Sequence, residues 1–512
     1  MNCWNSYYYP VKSVQFILIV ISVLFLLGCN VSGDKEFTDF SPNKISVKSD
    51  KFSLYAGEKE IFIEKYKTYN YAHFEYRSSL QLSLKSSISV KKFEISPESY
   101  NMEGLLHENS IRFSIDRPGF VMIRINEDQR IFIFADPPQN PLPSETISIL
   151  KYSIDRTGNE EQTGNEEQTG TLQKALDEIS GSGNILLFPA GIYKTGMLSI
   201  KSNTKIHLSP GAVILGPDNI SELGPEDASG PKGFIRIEDA ENIEISGRGI
   251  IDANGRYLRD RFGDEGRCRA LLILNSGKVN IDGIILRNSG SWNTQILHSE
   301  DVRITNVKIL NDIELSNTDG FDPDASKRVV IENCFACCGD DNVAIKSTNS
   351  SGYLQDVEDI TIRGCVLLTK KSALKVGTES LAGVMKNITF ENNQVLECDR
   401  GMTLYCYDGA AYENIRFLNN RFERNYPDRR QCGIHFWIKG RTAESKIGSM
   451  KQILIKDCSF SREFPSPFLV RGEDEEHKIE LNIENLTVAG TACSPENESR
   501  FFSAEFARIS YR

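Results

Sequence analysis

The residues best placed for chemistry are three aspartates in the stretch Asn317–Ser347: Asp319, in N-T-D-G, and the adjacent pair Asp340 and Asp341, in G-D-D-N. A short β-rich segment, Val329-Val330-Ile331, lies between them, and a second, Val343-Ala344-Ile345, follows the pair. If such segments are rungs of a parallel stack, residues about one coil apart lie side by side at the strand spacing of ~4.8 Å. Three carboxylates then share one patch. Like charges that close raise one another's pKa, so one of the group tends to hold a proton near neutral pH. A protonated carboxyl beside an ionised one offers an acid for a leaving oxygen and a base for a water, which is what cleavage of a glycosidic bond requires. Each aspartate alone is equally a turn former; only the constellation points to chemistry.

The elements that must position these residues repeat along the chain. A short apolar-x-apolar core recurs at Ile243/Ile245, Val279/Ile281, Val302/Ile304, Val329/Ile331, Ile360/Ile362, Ile388/Phe390, Ile415/Phe417, Ile453/Ile455 and Leu481/Ile483. The intervals run from the low twenties to the high thirties, the pattern of a solenoid with loops inserted on one side. Three residues past each second core position from Ile281 onward stand Ile284, Val307, Cys334, Cys365, Asn393, Asn420, Cys458 and Leu486. That column of aliphatics, thiols and amides suits an interior stack, with the two asparagines bonding backbone at a turn.

The N-T-D-G and G-D-D blocks, and the distance between them, resemble glycoside hydrolase family 28, the polygalacturonase family, in a clan shared with the family 49 dextranases. The resemblance spans Leu172 to Val488. Its first half rests on Leu172-Gln173-Lys174-Ala175-Leu176, Phe188-Pro189-Ala190-Gly191-Ile192-Tyr193, Leu198 to Asn203, and Gly211-Ala212-Val213-Ile214. It implies an all-β fold, a right-handed parallel β-helix, and a reaction that inverts the anomeric centre. Asp340 would be the general acid, Asp319 and Asp341 would activate water, and Asn317 of the same block would join the substrate-binding set.

Two departures from the family pattern bear on substrate. Where the family has a Gly-His-Gly block, this chain has Lys371-Ser372-Ala373, with Ser372 in the place of the histidine. The family's Arg-x-Lys pair, which binds a galacturonate carboxylate, aligns with Thr403 and Tyr405. Plain homogalacturonan is therefore not the expected substrate, although the aspartates are intact. Period two, with Val343/Ile345, Leu374/Val376, Met402/Leu404 and Ile434/Phe436 inward, turns Lys346, Lys375, Thr403, Tyr405, His435, Trp437 and Arg471 outward. On successive coils these line one face, with Lys346 and Lys375 as cationic donors and Tyr405 and Trp437 as platforms for sugar rings. Trp292 stands where the family often has an aromatic near substrate.

The rest of the chain frames this unit. At 512 residues, with 40% hydrophobic and 25% charged residues, the composition is globular and the chain exceeds one ordinary domain. A net charge of −11 argues against non-specific nucleic-acid binding. Residues 1–29 read as a signal: Lys12 precedes an apolar run, Val14 to Leu27, too short for a comfortable membrane span. The ending Leu26-Leu27-Gly28-Cys29 resembles a bacterial lipoprotein signal, with Cys29 the lipidated first residue of the mature protein. The expected location is the periplasm or an outer-membrane anchor, with membrane contact through the lipid alone and a monomeric protein. Residues 38–143 read as a small β-sandwich, a spacer or carbohydrate-binding module. Its alternation Ile111, Phe113, Ile115; Val121, Ile123, Ile125; Ile131, Ile133 predicts antiparallel strands with one buried face. Pro137 to Pro143 mark a stiff boundary before the β-helix domain, residues 144–512. The hexad Thr157–Gln162, repeated as Thr163–Gln168, reads as a solvated loop, followed by a helix with Thr171 as N-cap and Leu172, Ala175, Leu176 and Ile179 covering the first coil.

Twelve cysteines permit disulfides in an exported chain but do not assign them. Cys334, Cys337 and Cys338 lack the second ligand pair of a zinc site, so neither metal nor cofactor is expected. Two other function classes remain open. A polysaccharide lyase on the same scaffold would need Ca²⁺, for which Asp319, Asp322, Asp324, Asp340 and Asp341 are candidate ligands, and would release unsaturated products. A non-catalytic carbohydrate-binding β-helix would fit the missing histidine, but not the retention of all three aspartates.

Overall fold

The computed structural model describes residues 37–512 except 41–42, 158–164, 225–230, 351 and 428. The signal segment with Cys29 and most of the first hexad lie outside the described residues. From Thr146 onward the chain winds into a parallel β-helix with three faces of 13, 12 and 11 strands among the described residues. The apolar-x-apolar cores are its first face. Ile243 pairs with Val279, Val279 with Val302, Val302 with Val329, and Val329 with Ile360. The ladder continues through Ile388, Ile415, Ile453 and Leu481. Each is buried, and a slip of one residue would turn them all to solvent, so burial itself fixes the register.

The corner before this face has a sequence signature. Before five of the core positions stand Asn242, Asp301, Asp359, Asn387 and Asn414, with φ between 53° and 60°, a left-handed conformation that Asn and Asp tolerate best. The interior column is equally regular. Asn393 donates to the Ile362 carbonyl at 3.0 Å and to Asn420 Oδ1 at 2.9 Å, and Asn420 donates to the Phe390 carbonyl at 2.9 Å. The ten described cysteines are all free and nine are buried, Cys334, Cys365 and Cys458 in this column. They pack as small apolar side chains.

Two expectations need correction. The helix covering the first coil spans Asn165–Ile179 and takes in the end of the second hexad, which is no loop there. Glu166 and Glu167 in its first turn suit the helix dipole. Gln168 is buried and donates to the Lys194 carbonyl at 2.8 Å. Thr171 is interior rather than a cap, its hydroxyl donating to the Glu167 carbonyl at 3.0 Å.

The second concerns residues 37–136, which form a six-stranded and a five-stranded sheet. The six-stranded sheet is buried on both faces, not one. Ile123, Ile131 and Ile133 face the unit's own core, while Phe120, Met122, Phe132 and Phe134 on the other side pack against Leu310, Phe335 and Leu368 of the β-helix. Apart from Arg124, the residues between the alternating positions are large and apolar, which makes these strands fit for two cores. One strand pair, Tyr69–Tyr76 with Gln129–Asp136, is parallel. Three buried ion clusters cross the same contact. Glu397 binds Arg124 at 2.6 Å and Arg130 at 2.7 Å; Arg287 binds Glu64 at 2.8 Å and Asp252 at 2.6 Å; Asp136 binds Lys308 at 2.5 Å and Arg248 at 3.0 Å.

Candidate active site

The site lies on the outside of the third face. Strands Phe321–Asp324, Val343–Ser347, Ser372–Ser380, Arg400–Cys406, Ile434–Ile438 and Phe468–Arg471 are consecutive rungs there. Asp319 and Asp341 occupy the stacked turns that lead into the first two. Gly320 N donates to the Asp341 carbonyl and Phe321 N to the Asn342 carbonyl, both at 2.9 Å. Asn342 anchors its turn inside the coil through the Ala336 and Leu368 carbonyls at 3.0 and 2.9 Å. The glycines of the two blocks permit this approach. A Cβ on Gly320 would stand 2.4 Å from the Asn342 carbonyl, and one on Gly339 2.2 Å from the Leu315 carbonyl. The blocks N-T-D-G and G-D-D are thus one packing unit.

One carboxyl oxygen from each of Asp319, Asp340 and Asp341 lies within 4.8 Å of the others. Asp341 is pinned at both oxygens: Ser372 N donates to Oδ1 at 2.8 Å and Lys375 Nζ to Oδ2 at 2.7 Å. Asp340 accepts from Asn317 N and from Asp341 N, each at 3.1 Å. Asp319 Oδ2 accepts from Lys346 Nζ at 3.1 Å, while its Oδ1 is buried without a partner. Lys346 Nζ also lies 2.9 Å from Asp322 Oδ1 and 3.3 Å from the centre of the Trp292 ring.

These surroundings separate the carboxyls. Burial raises Asp340, reinforced by Asp341 and Asp319, to about 6. Burial likewise raises Asp319, opposed by Lys346 and reinforced by Asp322 and Asp341, to about 8. Burial pushes Asp341 up too, but Lys375 and Arg400 outweigh it and hold this carboxyl well below the usual range. The pocket therefore contains a permanently ionised carboxylate beside two that carry protons into the neutral range. The same three oxygens form a donor set close enough for a metal ion, but the Lys346 and Lys375 ammonium groups already bond two of the carboxyls.

The outward residues stand in two columns on this face. Ala344, Lys375, Thr403 and His435 make one column, and Tyr405, Trp437 and Arg471 another. Lys346 pairs with Asp324, and the register shifts between Ile345 and Ser347, so Lys346 and Lys375 reach different carboxylates from different columns. Trp292 is not a free platform, because Lys346 covers one ring face. Asn317 meets the cluster through its backbone N–H, its side chain accepting from Arg267 at 3.0 Å. Tyr405 and His435 are joined at 3.0 Å between hydroxyl and Nδ1, burial and Arg400 holding the imidazole down at about 4. Trp437 is half-buried at the outer end, with Tyr407 6.0 Å away and Lys439 4.3 Å over its ring.

Sequence reasoning missed Arg400, Tyr407 and Lys439 as site residues, and took Asp322 only as a candidate cation ligand of a lyase. Arg400 Nε donates to Ser372 Oγ at 2.9 Å, so the serine standing for the family histidine holds a guanidinium near Asp341. The Arg-Gly-Met-Thr-Leu-Tyr stretch offered that cation three residues ahead of the aligned position. The contact of Asp322 with Lys346 was hidden because Phe-Asp-Pro-Asp does not read as a strand.

Residues 184–424 match the sequence profile of the glycosyl hydrolases family 28, which bears out the resemblance carried by the two aspartate blocks. The chain is 28% identical over 256 residues to a "Probable polygalacturonase" of Vitis vinifera, covering 45% of this chain and 52% of that protein. It spans about half the length of the first curated relatives it matches. The exopolygalacturonase of Thermotoga maritima superposes with a TM-score of 0.57 at 19% identity, over 73% of this chain and 92% of its own. Dex49A from Penicillium minioluteum superposes at 0.58 with 13% identity, over 93% of this chain and 97% of its own. The fold is the right-handed parallel β-helix of these structures.

Proposed function

We propose that this protein is a glycoside hydrolase acting on a polysaccharide or oligosaccharide, pectin-related or other but not plain homogalacturonan, with inversion at the anomeric carbon. The observation that carries the proposal is the acidic pocket: Asp340, able to hold a proton near neutrality, beside Asp341, kept ionised by Lys375 and Arg400. Asp340 protonates the glycosidic oxygen. A water held by the unpartnered Oδ1 of Asp319 and by Asp341 attacks the opposite face of the sugar and gives up its proton to Asp319.

The oxygen separation of 4.8 Å or less is nearer the ~5–5.5 Å of carboxyl pairs that form a covalent intermediate than the ~6.5–9.5 Å that leaves room for water. Two features favour water. Asp341 already accepts strong bonds at both oxygens and is a poor nucleophile, and the third carboxyl, Asp319, supplies a second hold on the attacking molecule. A lyase is not favoured, since the matched family is one of hydrolases.

Substrate departs from the family's uronate clamp at Thr403 and Tyr405. In its place the pocket offers Lys375 and Arg400 beside the acids, and Tyr405, Tyr407 and Trp437 along the rungs that follow. Residues 38–143 act as a unit fixed to the β-helix of residues 144–512, and the protein is exported with a lipid on Cys29. Metabolic labelling with a fatty-acid analogue, lost in Cys29→Ser, tests the last point. The activity is tested by reducing-end release on a panel of pectic, algal and microbial polysaccharides. Release by the parent but not by Asp340→Asn is expected, and equal release by both contradicts the proposal.

A further inference from the structure

Asp322 and Asp324 alternate on one short strand, both fully buried and both turned to the outside of the coil. Their surroundings differ. Asp324 is satisfied, accepting from Thr348 N at 2.8 Å, Thr348 Oγ1 at 2.7 Å and Gln295 Nε2 at 2.9 Å. Asp322 meets Lys346 Nζ at 2.9 Å, and its Oδ2 has no hydrogen-bond partner. A buried aspartate kept for the fold alone is bonded like Asp324, because a buried oxygen without a partner weakens the native state. Lys346 thus stands between two carboxylates, Asp319 at 3.1 Å and Asp322 at 2.9 Å, with Trp292 over its remaining side.

We propose that Asp322 is a positioning residue of the hydrolytic site: by sharing the Lys346 ammonium it denies Asp319 a full counter-ion and so keeps Asp319 a strong base for the attacking water. The proposal rests on the hydrolase reading above. One ammonium cannot neutralise two buried carboxylates, so ionising Asp319 while Asp322 is charged leaves an uncompensated negative charge among buried groups. The other charged groups facing Asp319 are Asp341, Lys375, Asp340 and Arg269. Asp341 is already paired with Lys375, and Arg269 is turned to Gln295, its Nε donating at 2.8 Å. Lys346 is thus the only cation bonded to Asp319 among the described residues, and Asp322 takes a share of it. Burial, reinforced by Asp341 and Asp324 and opposed by Lys346, raises Asp322 to about 6, in keeping with two acids competing for one cation.

Asp322→Asn removes the competitor and keeps the shape. Lys346 then serves Asp319 alone, and the Asp319 carboxyl ionises at lower pH by about one unit or more. Two readouts test this. In kinetics, the limb of the pH profile that belongs to Asp319 moves toward acid, the rate above about pH 8, where Asp319 is ionised in parent and variant alike, falls by up to about ten-fold because the base is weaker, and KM changes less than about three-fold. In infrared difference titration of protein labelled with ¹³C-aspartate, which needs no substrate, the protonated-carboxyl band abolished by Asp319→Asn disappears at lower pH in Asp322→Asn than in the parent. A folded Asp322→Asn whose band and limb both stay in place overturns the proposal. Asp322→Ser is the second neutral variant; if neither folds, Asp322 is a determinant of the fold and the proposal is overturned. If no polysaccharide is cleaved by the parent, the hydrolase reading fails while the infrared shift still decides the role of Asp322.

Discussion

Asp340→Asn is the substitution whose outcome follows most directly from the geometry. Both Asp340 oxygens accept a backbone N–H, one from Asn317 and one from Asp341, each at 3.1 Å. Asparagine can accept only one, and its amide nitrogen must face the other donor. That mismatch costs about 1–3 kcal/mol, too little to unfold a chain with so long an apolar core. The catalytic loss is larger. General acid catalysis contributes about 10²–10⁴-fold, and since each ten-fold is ~1.4 kcal/mol, the barrier on a polysaccharide should rise by about 3–5 kcal/mol. The loss should depend on the leaving group. An aryl glycoside whose phenol leaves without protonation needs no acid, so on that substrate the variant should lose about ten-fold or less. The assay is kcat/KM for parent and variant on both substrates, with melting temperatures as a control. Equal losses on both at unchanged stability would refute the assignment of Asp340 as the acid.

Other outcomes follow from the same contacts. Activity needs Asp340 protonated and Asp319 ionised, which with Asp340 at about 6 and Asp319 at about 8 is the minor of the two singly protonated forms; kcat/KM should therefore be bell-shaped, with limbs at about 6 and about 8 and a maximum set by that small fraction, and a profile flat from pH 5 to 9 contradicts the charge assignment. Lys375→Met removes the 2.7 Å partner of Asp341; this carboxyl then rises toward the ordinary range, and activity below about pH 5 should fall more steeply than in the parent, which rate measurements at pH 4 and 7 resolve. Glu397→Gln breaks a fully buried carboxylate away from Arg124 and Arg130 and should cost about 3–5 kcal/mol, read as a lowered denaturation midpoint, with activity retained at low temperature because the clamp lies on a face other than the site's.

The sequence shows the coil register because its signal is local and repeated: an apolar-x-apolar core met nine times from Ile243 to Leu481, five of them behind an Asn or Asp in the left-handed region. It shows the aspartates because their two blocks must stack, and Gly320 and Gly339 leave room for that stacking only. What escapes it depends on partners far along the chain. Phe321–Asp324 is a strand although it contains Pro323 and two aspartates, since neighbouring rungs hold it. The outward columns shift by two residues at the Ile345–Ser347 irregularity, which no spacing rule anticipates. The alternating isoleucines alone suggest one buried face, and only the β-helix packed against Phe120, Phe132 and Phe134 explains the size of those residues. Asn165 to Gln168 lack apolar residues, yet Gln168 finds a buried carbonyl and the helix begins there.

Inversion requires that a water, held by Asp319 and Asp341, displace the leaving sugar in one step. Proton NMR of the first minutes of hydrolysis, before mutarotation, reads this directly. The anomer released should have the configuration opposite to the bond cleaved; a first product of retained configuration would mean that a carboxylate, not water, makes the initial attack.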